Sequence, residues 1–367
     1  MMFAVVMLPG GHGDALVVEY GSKSKPHQLL IDVGTFRSWQ DVQRELTRRR
    51  RDRYEIFVVT HVDEDHLGGA IALLDDPNLK QRIDRVWFNG YVHCESGGNV
   101  LGPVNGEQLT TRIVDGGFHW NDGFTPKASN DVGGPVVVPS AGDLPTVELA
   151  GSATVVLLSP TGPKLKTMAK KWKKDVVKAG LVPGEGDSDH TTIPTPRFRD
   201  ANEQLPDPLD RDAVLMLAAQ NDSDSSAANG ASIAFILEYD DKRVLFTGDA
   251  HASVLTKSLK RYAQRVDEER PRIDLVKLSH HGSNANVSAK MLQLIDCRRY
   301  LISTNGDNFA HPDDAAIAKV IAASDEPVTF FCNYRTTRTA PWEERGPGVG
   351  ATFEFANANQ HFIRVTV

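Results

Sequence analysis

The segment Ile56-Phe57-Val58-Val59-Thr60-His61-Val62-Asp63-Glu64-Asp65-His66-Leu67-Gly68-Gly69 joins an apolar run to four ligand-type side chains and two glycines. The β-branched run predicts a buried strand at 56–60, and the apolar spacing after it predicts a helix at 67–74. A strand that delivers His61, Asp63, Asp65 and His66 into one turn concentrates imidazoles and carboxylates in a small volume. Folding alone does not require this density, so the segment indicates a metal or catalytic centre.

Strand and helix patterns alternate along both halves of the chain. The first half has predicted strands at 3–8, 15–20, 29–32, 56–60 and 85–88, with helices at 39–50 and 67–74. The second half has predicted strands at 233–239, 243–247, 273–279, 300–303 and 328–331, with helices at 252–265, 288–294 and 314–323. This alternation is typical of an α/β fold and predicts two βα halves that face each other. Two poorly patterned segments, at about 91–140 and 160–228, are predicted to be long loop insertions within a single domain, 1–367.

Two further groups of ligand-type residues follow predicted strands in the second half. Asp249 closes the run 246–249, and the adjacent His280 and His281 lie in 278–283. An aspartate at a strand end is as typical of a helix cap or a turn as of a metal ligand. The residues alone also leave open which of the two imidazoles points inward. With the first segment, these groups supply enough imidazoles and carboxylates for two divalent cations, which Asp249 is placed to bridge.

The order of these motifs resembles that of the metallo-β-lactamase fold superfamily. Asp32 in Leu30-Ile31-Asp32-Val33-Gly34 is followed by H-x-D-x-D-H, then T-G-D, then S-H-H-G-S. The H-x-D-x-D-H variant is most similar to the hydrolase domain of the competence DNA-uptake proteins (ComEC family). The segment Gly11-His12-Gly13-Asp14, Asn305 and His311-Pro312 match further motifs of that family. The resemblance implies a four-layer αβ/βα sandwich.

The resemblance also implies a set of site residues. It places His61 and Asp63 at one metal, Asp65, His66 and His280 at a second metal, and Asp249 at both, with His281 as the alternative to His280. The family's third motif supplies one more histidine to the first metal; it has no clear match here, and His119 and His190 are the candidates. Other predicted roles are catalysis by Asp65, Asp249 and His311, substrate contact by His281, Ser283 and Asn305, and support of the ligands by Asp14 and Asp32.

The predicted metals are two divalent cations, zinc or manganese, with magnesium possible. Asp63, where many relatives have histidine, makes the first site richer in oxygen, and such sites accept Mn²⁺ or Mg²⁺ as readily as Zn²⁺. Two cations with a bridging hydroxide suit attack on a phosphodiester, and they also suit an ester, lactone or lactam carbonyl.

Composition and charge limit the class of protein. With 367 residues, 40% hydrophobic and 24% charged, the chain has the composition of a globular protein. Because it shows neither a spanning apolar segment nor a signal peptide, we expect a cytoplasmic protein without a membrane partner. Its three cysteines form no C-x-x-C pair, so a thiolate metal site is not expected.

The charge pattern bears on the substrate. The net charge of -7 argues against a protein that coats nucleic acid. Two basic runs nevertheless offer a local track for phosphates or, alternatively, a solvated helix face. They are 48–51 with Arg53, and Lys164, Lys166, Lys170, Lys171, Lys173 and Lys174.

Three functions remain open from the sequence. The leading one is a phosphodiesterase or nuclease that acts on nucleic acid or a small phosphodiester. A second is a small-molecule ester, lactone or choline-phosphate esterase, with Trp87, Tyr91 or Trp120 lining a closed pocket. A third is a non-catalytic, metal-bearing binding or sensor module that recognises a protein partner through the insertions.

Overall fold

Apolar residues alternate between two hydrophobic layers along the first strands of the computed structural model. The structure describes residues 1–49, 53–94, 104–126, 132–179, 205–357 and 362–367. In the strand that contains Ile56 and Phe57, Ile56 and Val58 belong to one core cluster, whereas Phe57 and Val59 belong to the other. Because successive strand residues point to opposite faces, this sheet is buried on both sides.

Two mixed sheets form the middle of the molecule. The first has the order β15-β1-β2-β3-β4-β5-β6 and the second β14-β13-β12-β11-β10-β9-β8-β7. The first sheet comprises β1 (Met2–Met7), β2 (Ala15–Ser22), β3 (Lys25–Val33), β4 (Ile56–Val58), β5 (Arg85–Trp87), β6 (His119–Trp120) and β15 (Ile363–Thr366). The second comprises β7 (Thr146–Glu148), β8 (Thr154–Ser159), β9 (Ala234–Tyr239), β10 (Lys242–Phe246), β11 (Leu275–Lys277), β12 (Arg299–Ile302), β13 (Val328–Cys332) and β14 (Ala351–Phe355).

Each sheet has an antiparallel part and a parallel part. Strands β3 to β6 run parallel to one another, as do β10 to β14. The larger core cluster combines residues of both sheets, such as Val5 and Leu16 of the first with Val155 and Ile236 of the second. The two sheets therefore pack against each other, as in a sandwich.

Helices cover the outer faces. The described helices are α1 (Trp39–Arg48), α2 (Glu64–Asp75), α3 (Tyr91–Cys94), α4 (Val104–Asp115), α5 (Gly162–Lys178), α6 (Arg211–Ala218), α7 (Ala227–Gly230), α8 (Ala252–Val266), α9 (Ala289–Leu292), α10 (Asp314–Ala322) and α11 (Ala340–Arg345). Helices α1, α2, α4 and α5 supply apolar residues to the smaller core cluster, on the outer face of the first sheet. Helices α8, α9 and α10 contribute to the larger cluster, in which the second sheet is buried. The predicted α/β sandwich is confirmed.

The two segments predicted as loop insertions contain regular structure. Helix α4 and strand β6 lie within 91–140, and helices α5 and α6 lie within 160–228. Helix α4 packs against α2, and Gly106 at its start lies against Trp172 of α5. These parts of the two segments are therefore regular structure, and the basic run at 164–174 lies on helix α5. Within the described residues, no helix is both long and apolar enough to cross a membrane.

Candidate metal centre

The carboxyl ends of the parallel strands carry the ligand-type residues. Asp32 lies at the end of β3 and His61 follows β4, while Asp249 follows β10 and the His280-His281 pair follows β11. The carboxyl ends of parallel strands are where α/β sheets place their functional groups. The two sheets bring these ends together at one edge of the sandwich.

Four imidazoles surround the carboxylate of Asp249. Its side chain is 2% exposed, and a histidine Nε2 atom approaches it from each of the four neighbouring residues. The Nε2-to-carboxylate distances are 3.3 Å for His66, 3.6 Å for His280, 3.8 Å for His61 and 3.9 Å for His281. This arrangement places one carboxylate at the centre of four nitrogen ligands.

The other ring nitrogen of each histidine is already engaged. Each Nδ1 lies beside an oxygen that accepts: Thr60 Oγ1 for His61 (3.1 Å), Asp32 Oδ2 for His66 (2.7 Å), Asn286 Oδ1 for His280 (2.9 Å) and the Ser303 carbonyl for His281 (2.8 Å). With the proton on Nδ1, the lone pair of Nε2 faces Asp249. Metal-binding histidines are held in this tautomer by outer partners of this kind.

Several buried atoms at the centre make no hydrogen bond in the structure. They are Nε2 of His61, Nε2 of His66 and Oδ1 of Asp249. Buried polar atoms are almost always satisfied, and a cation placed among these three would satisfy all of them. Imidazole nitrogens and carboxylate oxygens are the ligands that divalent zinc and manganese prefer. The residues present therefore fit a divalent cation.

One tight group surrounds Asp65. Its Oδ2 lies 3.1 Å from Nε2 of His281 and 3.7 Å from Nε2 of His66. Ligand atoms of Asp65, His66, Asp249 and His281 all lie within 4.8 Å of one another, and all four residues are buried. The sequence analysis put His280 with Asp65 and His66 and named His281 as the alternative. In the structure, the histidine that reaches Asp65 is His281.

A second group lies on the other side of Asp249 and faces solvent. Nε2 of His61 is 3.6 Å from Oδ2 of Asp63. Both His61 and His280 approach Oδ2 of Asp249, which His281 also approaches at 3.9 Å. Here Asp63 is 45% exposed and His280 is 20% exposed, whereas His61 is fully buried. His280 therefore stands on the side where the sequence left one ligand unassigned.

A left-handed turn directs the two adjacent imidazoles. His280 has φ 49° and ψ 50°, His281 has φ 56° and ψ 20°, and Gly282 has φ 88°. Consecutive non-glycine residues with positive φ are rare and costly, and such strain clusters at functional sites. The turn presents His280 to the exposed side of Asp249 and His281 to the buried side.

Two buried carboxylates support the ligands from behind. Asp32, with no exposed surface, accepts hydrogen bonds from the Thr60 amide (2.8 Å) and hydroxyl (2.7 Å) as well as from His66. Asp14 pairs with the buried Lys277 at 2.8 Å and lies 3.3 Å from Nδ1 of His281. These contacts place Asp32 behind His66 and Asp14 behind His281.

Gly13 allows this close packing. A Cβ atom at Gly13 would lie 1.7 Å from the carbonyl oxygen of Asp65. Since that contact is with backbone, no side-chain rotation could relieve it. The loop that carries Asp14 therefore reaches the centre only with glycine at this position.

Electrostatics follow from these contacts. Burial acts to lower the pKa of His281, but the charges of Asp14 and Asp249 outweigh it and raise that pKa to about 9. Burial acts to raise the pKa of Asp249, yet the imidazole of His66 holds it well below the usual range. Burial likewise opposes ionisation of Asp14, but Lys277 lowers its pKa to about 2. The carboxylates therefore remain ionised at neutral pH, as metal binding requires.

A polar network extends from His280 to the end of the second predicted insertion. The Asn286 amide nitrogen donates to Asp224 Oδ2 (2.8 Å) and to the Asp249 carbonyl (3.0 Å). Asp224 also accepts from the Asn229 side chain (2.7 Å) and the Ser226 amide (2.7 Å). Asn286, which is fully buried, thus links one histidine of the centre to a carboxylate 62 residues earlier in the chain.

Other residues with a predicted role lie at the mouth of the centre. The ring of His311 is 5.2 Å from that of His280, and its Nδ1 is 3.4 Å from Asp313 Oδ1. Burial lowers the pKa of His311. Ser283 is buried, and its amide donates to the His280 carbonyl, which gives it a place in the turn. The side chain of Asn305 bonds only to Asp307 among the described residues.

The remaining candidates lie elsewhere. His119 is exposed on β6 and pairs with Arg85 at the start of β5, at the end of the sheet opposite to the centre. His190 is outside the described residues. Trp87 is buried in the larger core cluster, whereas Tyr91 and Trp120 are buried in the smaller one, so the three rings do not share one site.

Sequence reasoning missed several residues that the structure brings to the centre. Asn286 lies five residues after His281 and could have been found from its place in that motif. Thr60 ends the quoted apolar run, where a hydroxyl beside two ligand histidines is a readable signal. Asp224 has no such signal, because it lies in a segment rich in aspartate and serine.

Comparisons with known proteins reveal likeness of structure alone. No family model matches the chain, and no curated protein matches it. Similar solved structures include a mutant of the CmlA β-hydroxylase, at 12% identity and TM-score 0.38, which covers all of this chain and 53% of that one. A second is a diphosphatase of the PhnP family, at 10% identity and TM-score 0.39, with 100% of this chain and 98% of that one covered. A third is a metallo-β-lactamase from Cronobacter sakazakii, at 13% identity and TM-score 0.30, with 87% of this chain and 90% of that one covered.

The chain thus spans about half the length of the CmlA β-hydroxylase chain and most of the other two. At these identities and TM-scores, the similarities assign no chemistry to individual residues of this chain.

Proposed function

We propose that this protein is a metal-dependent hydrolase that cleaves phosphodiesters, with nucleic acid as the leading substrate class. The observation that carries the proposal is the carboxylate of Asp249 with four histidine Nε2 atoms between 3.3 and 3.9 Å from it. A structural role alone gives no reason to keep three buried, unbonded polar atoms face to face.

The proposed ligand sets follow the two sides of Asp249. One cation would be held by His61, Asp63 and His280, and the other by Asp65, His66 and His281, with Asp249 shared. This assignment moves His280 to the first site and His281 to the second. It gives each site three ligands of its own, so the first site no longer needs His119 or His190.

Two divalent cations in such sites would make a coordinated water acidic and would polarise a phosphoryl oxygen. Residues of the protein determine which side of that centre is open to substrate. Asp63 and His280 form its solvent side, so substrate enters there. Burial of His311 lowers its pKa, so its imidazole is neutral at pH 7, and we propose that it orients the phosphate or accepts a hydrogen bond.

Helix α5 supplies a cationic surface for a polyanion. Its apolar side is buried through Leu165, Met168 and Trp172, and Lys166, Lys170, Lys173 and Lys174 are exposed on the other side. Lys164 at its start lies 2.7 Å from Nδ1 of His251, two residues after Asp249. The helix therefore begins near the centre, as a track for backbone phosphates requires.

The first basic run offers less. Its described members pair with acids: Arg48 with Glu45, Arg49 with Glu19, and Arg53 with Asp84. Residues 50–52 are outside the described part of the chain. Support for a nucleic-acid substrate therefore comes from α5.

The test uses the full chain, stripped of metal and reloaded with Mn²⁺ or Zn²⁺. We expect cleavage of single-stranded DNA or RNA and of bis(p-nitrophenyl) phosphate, and loss of all these activities in Asp249→Asn. Cleavage of the chromogenic ester alone would favour the small-molecule esterase. Stoichiometric metal binding without any turnover would favour the non-catalytic module and would contradict the proposal.

A further inference from the structure

We propose that Phe309 is a stacking platform that binds a nucleobase beside the phosphodiester to be cleaved. This inference rests on the proposed function, and it names the part of the substrate that the mouth of the centre recognises. The juxtaposition that carries it is an exposed aromatic ring held against histidines of the centre.

Phe309 stands out by its exposure. At 39%, it is the most exposed phenylalanine, tyrosine or tryptophan among the described residues. The described tryptophans and tyrosines, in contrast, are buried or partly buried. An isolated exposed leucine or valine is ordinary on a protein surface, but a large ring that is partly exposed beside a cluster of imidazoles offers a surface to a ligand.

Its position is defined by three imidazoles. The ring centroid of Phe309 is 6.3 Å from that of His280, 6.3 Å from that of His12 and 6.0 Å from that of His311, with which it is nearly parallel at 20°. His280 in turn reaches Asp249. The ring is therefore one residue removed from the proposed cations, within reach of a base attached to a phosphate held there.

The loop that carries Phe309 is held in place. The residues on each side, Asn308 and Ala310, have φ 69° and φ 56°, a conformation that side chains other than glycine rarely adopt. The Phe309 amide donates to the Asp307 carbonyl (2.8 Å), and the Asn305 amide donates to the Gly11 carbonyl (2.9 Å). Backbone strain of this kind persists where the surroundings impose it, and it clusters at ligand sites.

The chemistry of the platform favours a flat aromatic ligand. A quaternary ammonium group is recognised by a cage of several rings, whereas the described residues offer a single exposed ring here. Stacking of a base on one aromatic side chain is tolerant of sequence and is the usual device of proteins that bind single strands. A nucleoside phosphate therefore fits the site better than a choline phosphate.

The test compares three p-nitrophenyl phosphodiesters that share one leaving group. They are the thymidine 5′-phosphate ester, the ethyl phosphate ester and the phosphorylcholine ester. Since stacking contributes roughly 1–3 kcal/mol per base, we expect kcat/KM to favour the thymidine ester over the ethyl ester by on the order of tenfold. Phe309→Ala should abolish that preference, and Phe309→Trp should retain it. Val114→Ala, which truncates an exposed apolar side chain on α4, is the matched control and should retain it too.

A binding measurement separates this inference from the proposed function. The metal-loaded protein should bind thymidine 5′-phosphate on the order of tenfold more tightly than deoxyribose 5-phosphate, and Phe309→Ala should bind the two equally. Base-dependent binding without hydrolysis of any ester would overturn the hydrolase and support the platform. Equal binding by the wild-type protein, an unchanged preference in Phe309→Ala, or a stronger preference for the phosphorylcholine ester would overturn the platform.

Discussion

Replacing Asn286 by leucine should weaken the binding of one of the two proposed cations and leave the binding of the other nearly unchanged. Leucine has a similar shape but removes the acceptor for His280 Nδ1 (2.9 Å) and the donor to Asp224 and Asp249. The Asn229 amide nitrogen, 3.4 Å from His280 Nδ1, then becomes its neighbour. Because an amide NH2 nitrogen can only donate a hydrogen bond, this contact favours the tautomer of His280 with the proton on Nε2, the atom that faces Asp249.

The magnitude follows from these contacts. Loss of an outer hydrogen-bond partner of a metal-binding histidine typically costs 10–100-fold in metal affinity, or about 1.4–2.8 kcal/mol. Three lost hydrogen bonds at about 1 kcal/mol each also lower the free energy of unfolding by roughly 3 kcal/mol. Asp224 keeps its bond from Asn229, so no carboxylate is left buried and unpaired.

Titration of metal-stripped protein against a chelating indicator measures the two affinities separately. We expect the affinity of one step to fall 10–100-fold and that of the other to change less than about threefold. Asn89→Leu is the matched control, since Asn89 is buried and bonds twice to Val136. It should lose stability without losing metal. Two unchanged affinities in folded Asn286→Leu, or an equal loss at both steps, would refute the role given to Asn286.

Three further predictions test other parts of the centre. Asp249→Asn should loosen both cations and lower turnover more than about 100-fold, because it removes the shared ligand; a variant with wild-type metal content and rate would show that Asp249 bridges nothing. Reversing the charges of Lys166, Lys170 and Lys173 should reduce the slope of log affinity for single strands against log salt by about 2 while hydrolysis of bis(p-nitrophenyl) phosphate continues; equal losses on both would indicate misfolding. In chelator, the free energy of unfolding should fall by about 3 kcal/mol between pH 6.5 and 9. The reason is His281: burial acts to lower its pKa, but nearby carboxylates raise it from 6.5 to about 9. The stability that its protonated imidazole contributes is complete below pH 6.5 and is lost as the proton leaves at higher pH. Denaturant unfolding at each pH measures this, and a slope as steep in His281→Gln would contradict it.

Local patterns predicted the elements that carry the centre. The strand predicted at 56–60 and the helix predicted at 67–74 follow from residues adjacent in the chain, and the structure has strand β4 and helix α2 there. Helix α4 escaped prediction because the buried positions of α4 include Glu107, Gln108 and Thr110, so burial does not follow hydrophobicity. Its helical state depends on packing against α2 and Trp172, which no local pattern shows.

The choice between His280 and His281 could not be made from the sequence. Both are histidines, and the difference lies in a turn whose left-handed backbone leaves His280 partly exposed and buries His281 against Asp65. The support from Asp224 is likewise a contact between remote segments. Such features depend on backbone geometry and on tertiary packing, whereas the clustering of imidazoles and carboxylates after the strands was expected from the residues themselves.

Asp224 also constrains how the molecule can be shortened. Residues 219–226, directly before helix α7, are irregular and largely exposed, so they invite deletion. A deletion that includes residue 224 would remove the carboxylate oxygen that accepts a hydrogen bond from Asn286. We expect such a deletion to weaken metal binding rather than to lower solubility. A trimmed version should therefore keep Asp224 as well as helix α6, which packs against α10, and should be checked by its metal content as well as by its yield.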